Sequence, residues 1–277
     1  MSTIIQASLL PQNSSRQGEG GKRVGPTLNH VDSGTPTISV ITVVYNDARG
    51  LEETIRSLGQ QSYSDIEYIV IDGGSSDGTL DVIRRNEDLI DYWVGEPDGG
   101  IYAAMNKGLA LVSGEIIGIL NAGDTYTPGA LQIIGRYAQQ HLDAQFFFGT
   151  VFKGQLRSKL QPWKIHWSFD FYTCHSVGFF IRRRAQCEIG LYNTAYRCSA
   201  DYDLFYRMVV KHGMKGVHTT PAELIGTFAP GGYSSRVNYL DHLLEETRIR
   251  LDNGQHRLMV LGIFVLRYLK NIRRLRK

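Results

Sequence analysis

Four aspartates in the first half of the chain each stand just past an apolar run. Asp47 follows Ile38-Ser-Val-Ile-Thr-Val-Val-Tyr45, Asp72 follows Glu67-Tyr-Ile-Val-Ile71, Asp98 follows Tyr92-Trp-Val94, and Asp124 follows Glu115-Ile-Ile-Gly-Ile-Leu120. A carboxylate at the end of a strand accepts from a base N–H or a ribose hydroxyl, which suits Asp47 and Asp72. A diphosphate needs a cation instead, and Mg2+ or Mn2+ prefers one or two carboxylates plus phosphate oxygens to a full protein cage. Asp124, at the tip of a buried strand, suits that ion. For Asp72 or Asp98 taken singly, a helix cap is an equally good account. Asp77, inside Ser75-Ser-Asp-Gly78, is turn chemistry first, and Lys107 reads as a surface helix residue.

What must position these carboxylates is legible in the runs before them. Ile38 to Tyr45 is β-branched almost throughout, the pattern of a strand buried on both faces. Leu51, Ile55 and Leu58 then recur at helical spacing. After the second strand, Gly73 to Gly78 is a loop by composition, and Thr79 resumes a helical pattern. This βαβα succession predicts an α/β fold: a mostly parallel sheet flanked by helices, with ligands beyond the carboxyl ends of its strands. Asp72, Asp98 and Asp124 converge there.

Met1 to Thr35 shows little periodicity and reads as a disordered leader, so the expected division is 1–35 leader, 36–235 catalytic domain and 236–277 helical tail. Past Gly149 the pattern is irregular through Arg184, and Asp201 to Val210 reads as one helix. In the tail, Leu258-Met-Val-Leu-Gly-Ile-Phe-Val-Leu266 is apolar on all sides, too short to span a bilayer but long enough to lie in its interface. Six cations and no anion follow from Arg267 to Lys277. Such a local basic tail points to an anionic membrane surface, whereas a nucleic-acid binder would spread its charge over a face. Three cysteines with twelve and ten residues between them match neither a zinc site nor a disulfide framework. With no signal peptide or spanning run, the expected location is cytoplasmic, peripheral at the inner face of the plasma membrane.

Four ordered segments carry a resemblance. Ile38 to Asn46, then Ile71-Asp-Gly-Gly-Ser-Ser-Asp-Gly-Thr79, then Glu96-Pro-Asp-Gly-Gly-Ile-Tyr-Ala-Ala-Met-Asn-Lys-Gly108, then Gly114-Glu-Ile-Ile-Gly-Ile-Leu-Asn-Ala-Gly-Asp124 together resemble glycosyltransferase family 2, over roughly residues 36 to 230. Within that family the resemblance is to bacterial polysaccharide-biosynthesis enzymes of the colanic acid type. It implies a GT-A fold and inverting transfer of a sugar from a nucleotide-sugar donor to a saccharide or lipid-linked acceptor. By position, Tyr45, Asp47 and Asp72 contact the nucleotide, Asp98 lies nearby in the donor pocket, and Asp124 binds a divalent metal. The family often has a second acid just before that position, where this chain has Ala122 and Gly123. Cys174-His-Ser-Val-Gly-Phe-Phe-Ile-Arg182 and Ala200-Asp-Tyr-Asp-Leu204 resemble its acceptor-side segments, with Asp201 as general base.

Read without the resemblance, Asp201 and Asp203 are two apart on a helix, one capping and one solvated. His175 is a candidate metal ligand and His218 a weaker one, a lone histidine being more often structural. Two other functions stay open. A nucleotidyltransferase would carry a Gly-rich basic triphosphate loop after Tyr45, and none is there; a non-catalytic nucleotide- or carbohydrate-binding module would need neither Asp201 nor a metal.

Overall fold

The run from Ile38 to Val44 forms a seven-residue strand in which every position is buried. Ile41 and Val43 face one side of the sheet and Val40 and Val44 the other, so the strand is covered twice, as its β-branched sequence requires. The structure, a computed structural model, describes residues 9–24, 34–167, 171–172, 174–232 and 237–272.

Elements follow in the order β1 (Gly18–Gly20), β2 (Ile38–Val44), α1 (Ala48–Gly59), β3 (Ile66–Asp72), α2 (Thr79–Arg85), β4 (Tyr92–Gly95), α3 (Ile101–Leu111), β5 (Ile116–Ile119), β6 (Thr125–Tyr126) and α4 (Ala130–Gln140). The second half adds β7 (Phe146–Phe148), β8 (Thr150–Phe152), β9 (Leu156–Arg157), β10 (Phe179–Arg182), α5 (Arg183–Ile189), α6 (Ala200–Tyr206), β11 (Gly216–His218) and β12 (Leu224–Thr227). Two helices close the chain, α7 (Tyr239–Asp252) and α8 (Arg257–Lys270). An eight-stranded sheet runs β1-β4-β3-β2-β5-β10-β7-β11, and a smaller sheet runs β6-β12-β8-β9.

β4, β3, β2 and β5 are parallel neighbours, as the βαβα reading expects. One face is covered by α1, α2 and α4, where Leu51, Ile55 and Leu58 are each buried, stabilising the fold by about 1.5–3 kcal/mol apiece. The other is covered by α3 and α6, through Met105, Leu109, Leu204 and Phe205.

Three expectations change. Part of the leader is structured: β1 pairs antiparallel with β4, and Arg16 beside it donates to the buried Glu96 at 3.0 Å. Two glycines about a single Glu give no period-2 signal, so pairing with β4, not local propensity, makes this strand. The irregular stretch conceals β10, which inserts antiparallel between β5 and β7. The helix beginning near Asp201 holds α-geometry only to Tyr206, and Arg207–Lys211 is a π-turn. Arg207 is drawn inward there, donating to Asp203 at 2.9 Å and to the Leu191 carbonyl at 2.8 Å.

Candidate functional site

The loops after β2 and β3 are bolted to one another. Asn46, at φ 50°, donates its N–H to Ser75 Oγ at 2.7 Å, and its Oδ1 accepts from Ser76 N–H at 2.8 Å. Asp47 caps α1, accepting from Gly50 N–H at 2.9 Å. Asp77 accepts from Ala48 N–H and Thr79 N–H, each at 3.1 Å, and so is the turn residue its setting suggested. Asp72 is fully buried, and the next loop winds round it: it accepts from Gly74 N–H at 3.2 Å, Ser75 N–H at 3.0 Å and the Ser75 hydroxyl.

Tyr45 and Asp98 meet over the same loop. A Cβ on Gly73 would fall 2.9 Å from Asp98 Oδ2 and 3.5 Å from Tyr45 Cδ2, so glycine leaves room for both. The Tyr45 ring is 67% exposed, an aromatic surface free to stack. Asp98 accepts from Gly100 N–H at 2.7 Å. Burial raises its carboxyl above the usual range, opposed by that N–H and by Lys107 and reinforced by Asp72 and Glu96. Lys107 is not a free surface residue: it pairs with Glu96 at 2.8 Å. Burial would raise the Glu96 carboxyl, but hydrogen bonds from Lys107 and Arg16 outweigh it and hold it low.

Asp124 is 2% exposed and gripped from two distant segments. Its Oδ1 accepts from Ala229 N–H at 2.8 Å, past β12, and its Oδ2 from the Ser176 hydroxyl, before β10. Burial pushes its carboxyl up to about 6, partly offset by Ser176, Ala229 N–H and Lys153. Ser176 is presented by a strained turn: Val177 has φ 72°, costly for a β-branched residue, and Gly178 N–H closes onto Ser176 O at 2.8 Å. Gly123, at φ 90°, disfavours an acid at the position directly before Asp124. A Cβ there would be strained and would lie 3.2 Å from Ala229 Cβ and 3.8 Å from Asp47 Oδ2. Asp47 and Asp124 thus flank one glycine.

The donor set fits a hard divalent cation. Each Asp124 oxygen accepts one hydrogen bond and keeps a lone pair, and the buried Asn121 Oδ1 in the same turn has no protein partner. Among the described residues no group of three or more His, Cys, Asp or Glu assembles, so such an ion would share its shell with ligand oxygens. His175, the other candidate metal ligand, turns to different partners. Its Nε2 is bonded to Tyr192 Oη at 2.8 Å, its ring packs on Phe179 and Phe205, and burial lowers its pKa, opposed by the charge of Asp201. His218, on β11, faces its neighbour's backbone, with Nδ1 2.9 Å from the Thr219 carbonyl.

Asp201 and Asp203 part company. Asp203 is buried, neutralised by Arg207 and bonded by Asn253 Nδ2 at 2.9 Å. Asp201 is half-buried and accepts from two phenols, Tyr102 at 3.2 Å and Tyr172 at 3.3 Å. Tyr102 opens α3, directly after the Asp98 loop, so one hydrogen bond joins the donor-side motif to Asp201. Tyr192 stacks on Tyr102, and Asn106 clamps Tyr192 through its N–H and carbonyl, both at 2.9 Å.

Sequence reasoning assigned no role to Tyr102, Ser176 or Lys153. The first two lie inside quoted motifs and could have been singled out as donors. Lys153 carries no signal, yet its Nζ sits 4.0 Å over the Phe228 ring, next to the Ala229 N–H that holds Asp124. It forms no ion pair among the described residues.

A family model described as Glycosyl transferase family 2 matches residues 39–210. An uncharacterized glycosyltransferase of Mycobacterium tuberculosis is 45% identical over 93 residues, 33% of this chain and 36% of that relative, so the chain spans about a third of its length. A PGL/p-HBAD biosynthesis glycosyltransferase of Mycobacterium bovis is 31% identical over 183 residues, covering 62% of this chain and 69% of the relative. Among solved structures, the mannosyltransferase PcManGT from Pyrobaculum calidifontis, in complex with GDP-Man and Mn2+, superposes with TM-score 0.62 at 20% identity, covering 85% of this chain and 70% of that one. S. aureus TarS 1-349 in complex with UDP gives TM-score 0.63 at 14% identity, covering 84% and 72%. At those identities the likeness is one of fold.

Proposed function

The chain belongs to glycosyltransferase family 2, and we propose that it transfers a sugar from a nucleotide-sugar donor to a saccharide or lipid-linked acceptor, with inversion, in surface-polysaccharide or glycolipid assembly. The observation that carries this reading is the Tyr102–Asp201 hydrogen bond, which ties a half-buried carboxylate to the helix that begins at the donor loop.

Tyr45 stacks on the base, Asp47 and Asp72 accept from base or ribose, and Asp98 faces the sugar side of the same loop. Asp201 accepts the proton of the acceptor hydroxyl as that oxygen attacks the anomeric carbon, and the carbon–oxygen bond to the diphosphate breaks on the opposite face. No covalent link to the protein forms. Asp124, with Asn121 Oδ1, would hold Mg2+ or Mn2+, which supplies positive charge to the leaving diphosphate. Lys153 adds a second cation where this chain lacks a second carboxylate.

The buried, paired state of Asp203 favours Asp201 as base. Incubation with UDP-, GDP- and dTDP-sugars plus Mn2+ tests the proposal by nucleotide release. Release that depends on metal, on acceptor and on Asp201 is expected; its absence across the panel would return the chain to a binding module.

A further inference from the structure

The last helix is amphipathic the wrong way round. α8 turns Val260 and Ile263 inward, and Arg267, facing the same way, is tied to the buried Glu246 of α7. Its outer side holds Leu258 (74% exposed), Leu261 (58%), Val265 (43%), Leu266 (70%) and Leu269 (58%). Of the apolar run, only the inner side is buried against the domain. At 100° per residue, the outer residues with Gly262 and Tyr268 fill an arc of about 160° free of charge.

Charge says what covers it. Arg257 and Lys270 flank the arc at the two ends of the helix, and no Asp or Glu occurs anywhere after Asp252. Arg267 is spent on Glu246, but Arg273, Arg274, Arg276 and Lys277 follow in the sequence, outside the described residues. A second copy laid on this helix would bring like charges together with no acid on the segment to pair them. Its contact would also be a narrow seam of two positions in seven, whereas the arc is as broad as a face laid on a plane. No helix among the described residues is long and apolar enough to cross a membrane.

We propose that α8 docks flat on an anionic lipid surface, its leucine arc among the acyl chains and its flanking cations at the headgroups. α7 carries that docking to the site. On one side it holds α8 through Glu246 and through Tyr239 Oη, which accepts from Asn271 at 3.0 Å. On the other, Glu245 accepts from Arg197 N–H at 2.6 Å and Cys198 N–H at 2.9 Å, and Asp252 accepts from Tyr196 Oη at 2.7 Å, just ahead of Asp201. A docked α8 therefore sets the Asp201 segment one helix above the lipid. Only this benefit to an acceptor in the membrane rests on the transferase reading; the docking does not.

The test is co-sedimentation of the full chain with vesicles of phosphatidylglycerol and phosphatidylcholine, or of phosphatidylcholine alone. The wild-type chain is expected to bind the anionic vesicles, with binding that weakens as salt rises. Replacing exposed side chains only, Leu258→Gln/Leu261→Gln/Leu266→Gln is expected to weaken binding at least tenfold while leaving nucleoside diphosphate binding unchanged. Arg257→Gln/Lys270→Gln, which spares the leucine arc, is expected to lose about fivefold per cation on anionic vesicles alone. A wild-type chain that stays in the supernatant with both vesicles overturns the proposal, as does triple-variant binding equal to wild type. A dimer in sedimentation velocity that the triple variant abolishes, without vesicle binding, overturns it in favour of a second copy.

Discussion

The carboxylates after β2, β3 and β4 are each held by their own loop, whereas those after β5 and at the start of α6 are held from far away. Asp47 takes Gly50 N–H, Asp72 takes Gly74 and Ser75 N–H, and Asp98 takes Gly100 N–H, all within three residues. Asp124 is held by Ser176 and Ala229, 52 and 105 residues on, and Asp201, beyond its neighbour Tyr202 N–H at 2.9 Å, by Tyr172 and Tyr102, 29 and 99 residues back. The first group is preformed wherever its strands pair. The second exists only when β10, β12 and α6 have all docked, and its partners are mostly hydroxyls, which can turn toward a ligand. In the proposed function, recognition of the nucleotide would use the former and chemistry the latter.

If that division is right, the largest loss follows substitution in the second group. Asp201→Asn is expected to cut transfer by roughly 10² to 10⁴ with donor affinity nearly unchanged, read by steady-state kinetics beside calorimetric titration. Asp203→Asn should instead lower stability, by about 3 kcal/mol in urea unfolding, because it leaves Arg207 without its partner. A reversed order would move the base to Asp203.

Asp124→Asn should cost about 10² to 10³ in transfer, and the same variant has an opposite effect on stability. A carboxyl near 3.8 when unfolded and about 6 when folded means that the native state binds more protons between those values. Stability therefore falls as pH rises through that window, and the full penalty, up to about 3 kcal/mol, is present above about pH 6. In EDTA at pH 7 the variant should melt above wild type, and Mn2+ should raise the wild-type Tm alone. Equal melting curves in EDTA would sever the acid from its burial.

A milder effect is expected in the first group. Asp72→Ala removes the acceptor for two amides and a hydroxyl, costing about 1–3 kcal/mol of stability and about tenfold in nucleoside diphosphate affinity through the slackened loop. An unchanged dissociation constant would leave Asp72 a purely structural residue. Smallest is Lys153→Met, expected to slow transfer several-fold and to raise the Mn2+ concentration needed for half-maximal rate, while nucleoside binding stays put. An unaltered metal-activation curve would place its ammonium outside the diphosphate's reach.

The same contrast explains what could be read in the sequence. β2 to β5, with Tyr45, Asp47, Asp72, Asp98 and Asp124 beyond them, are set by local pattern: β-branched runs, then Gly and Asp. Phe179-Phe-Ile181 is equally apolar, but nothing local says that it inserts between β5 and β7, and so Ser176 could not be paired with Asp124. His175 adjoins Ser176 in sequence yet turns to Tyr192 and Phe205, because only packing decides to which side of a strained turn each side chain points. Lys107 sits at a helix position open to solvent by pattern, and Glu96 claims it. Arg207 interrupts a helix whose spacing is unbroken, since its partners, Asp203 and the carbonyls of Ile189 and Leu191, are tertiary.

β1 has a practical meaning for anyone trimming this protein. Cutting at Pro36, where the periodic sequence begins, would remove only three residues of strand, but those three cover the open edge of β4. The bared edge would offer its unpaired amides and carbonyls to any passing strand, and Glu96, stripped of Arg16, would keep only Lys107. A shortened chain would thus be prone to clump, through a β-edge that the intact chain seals for itself.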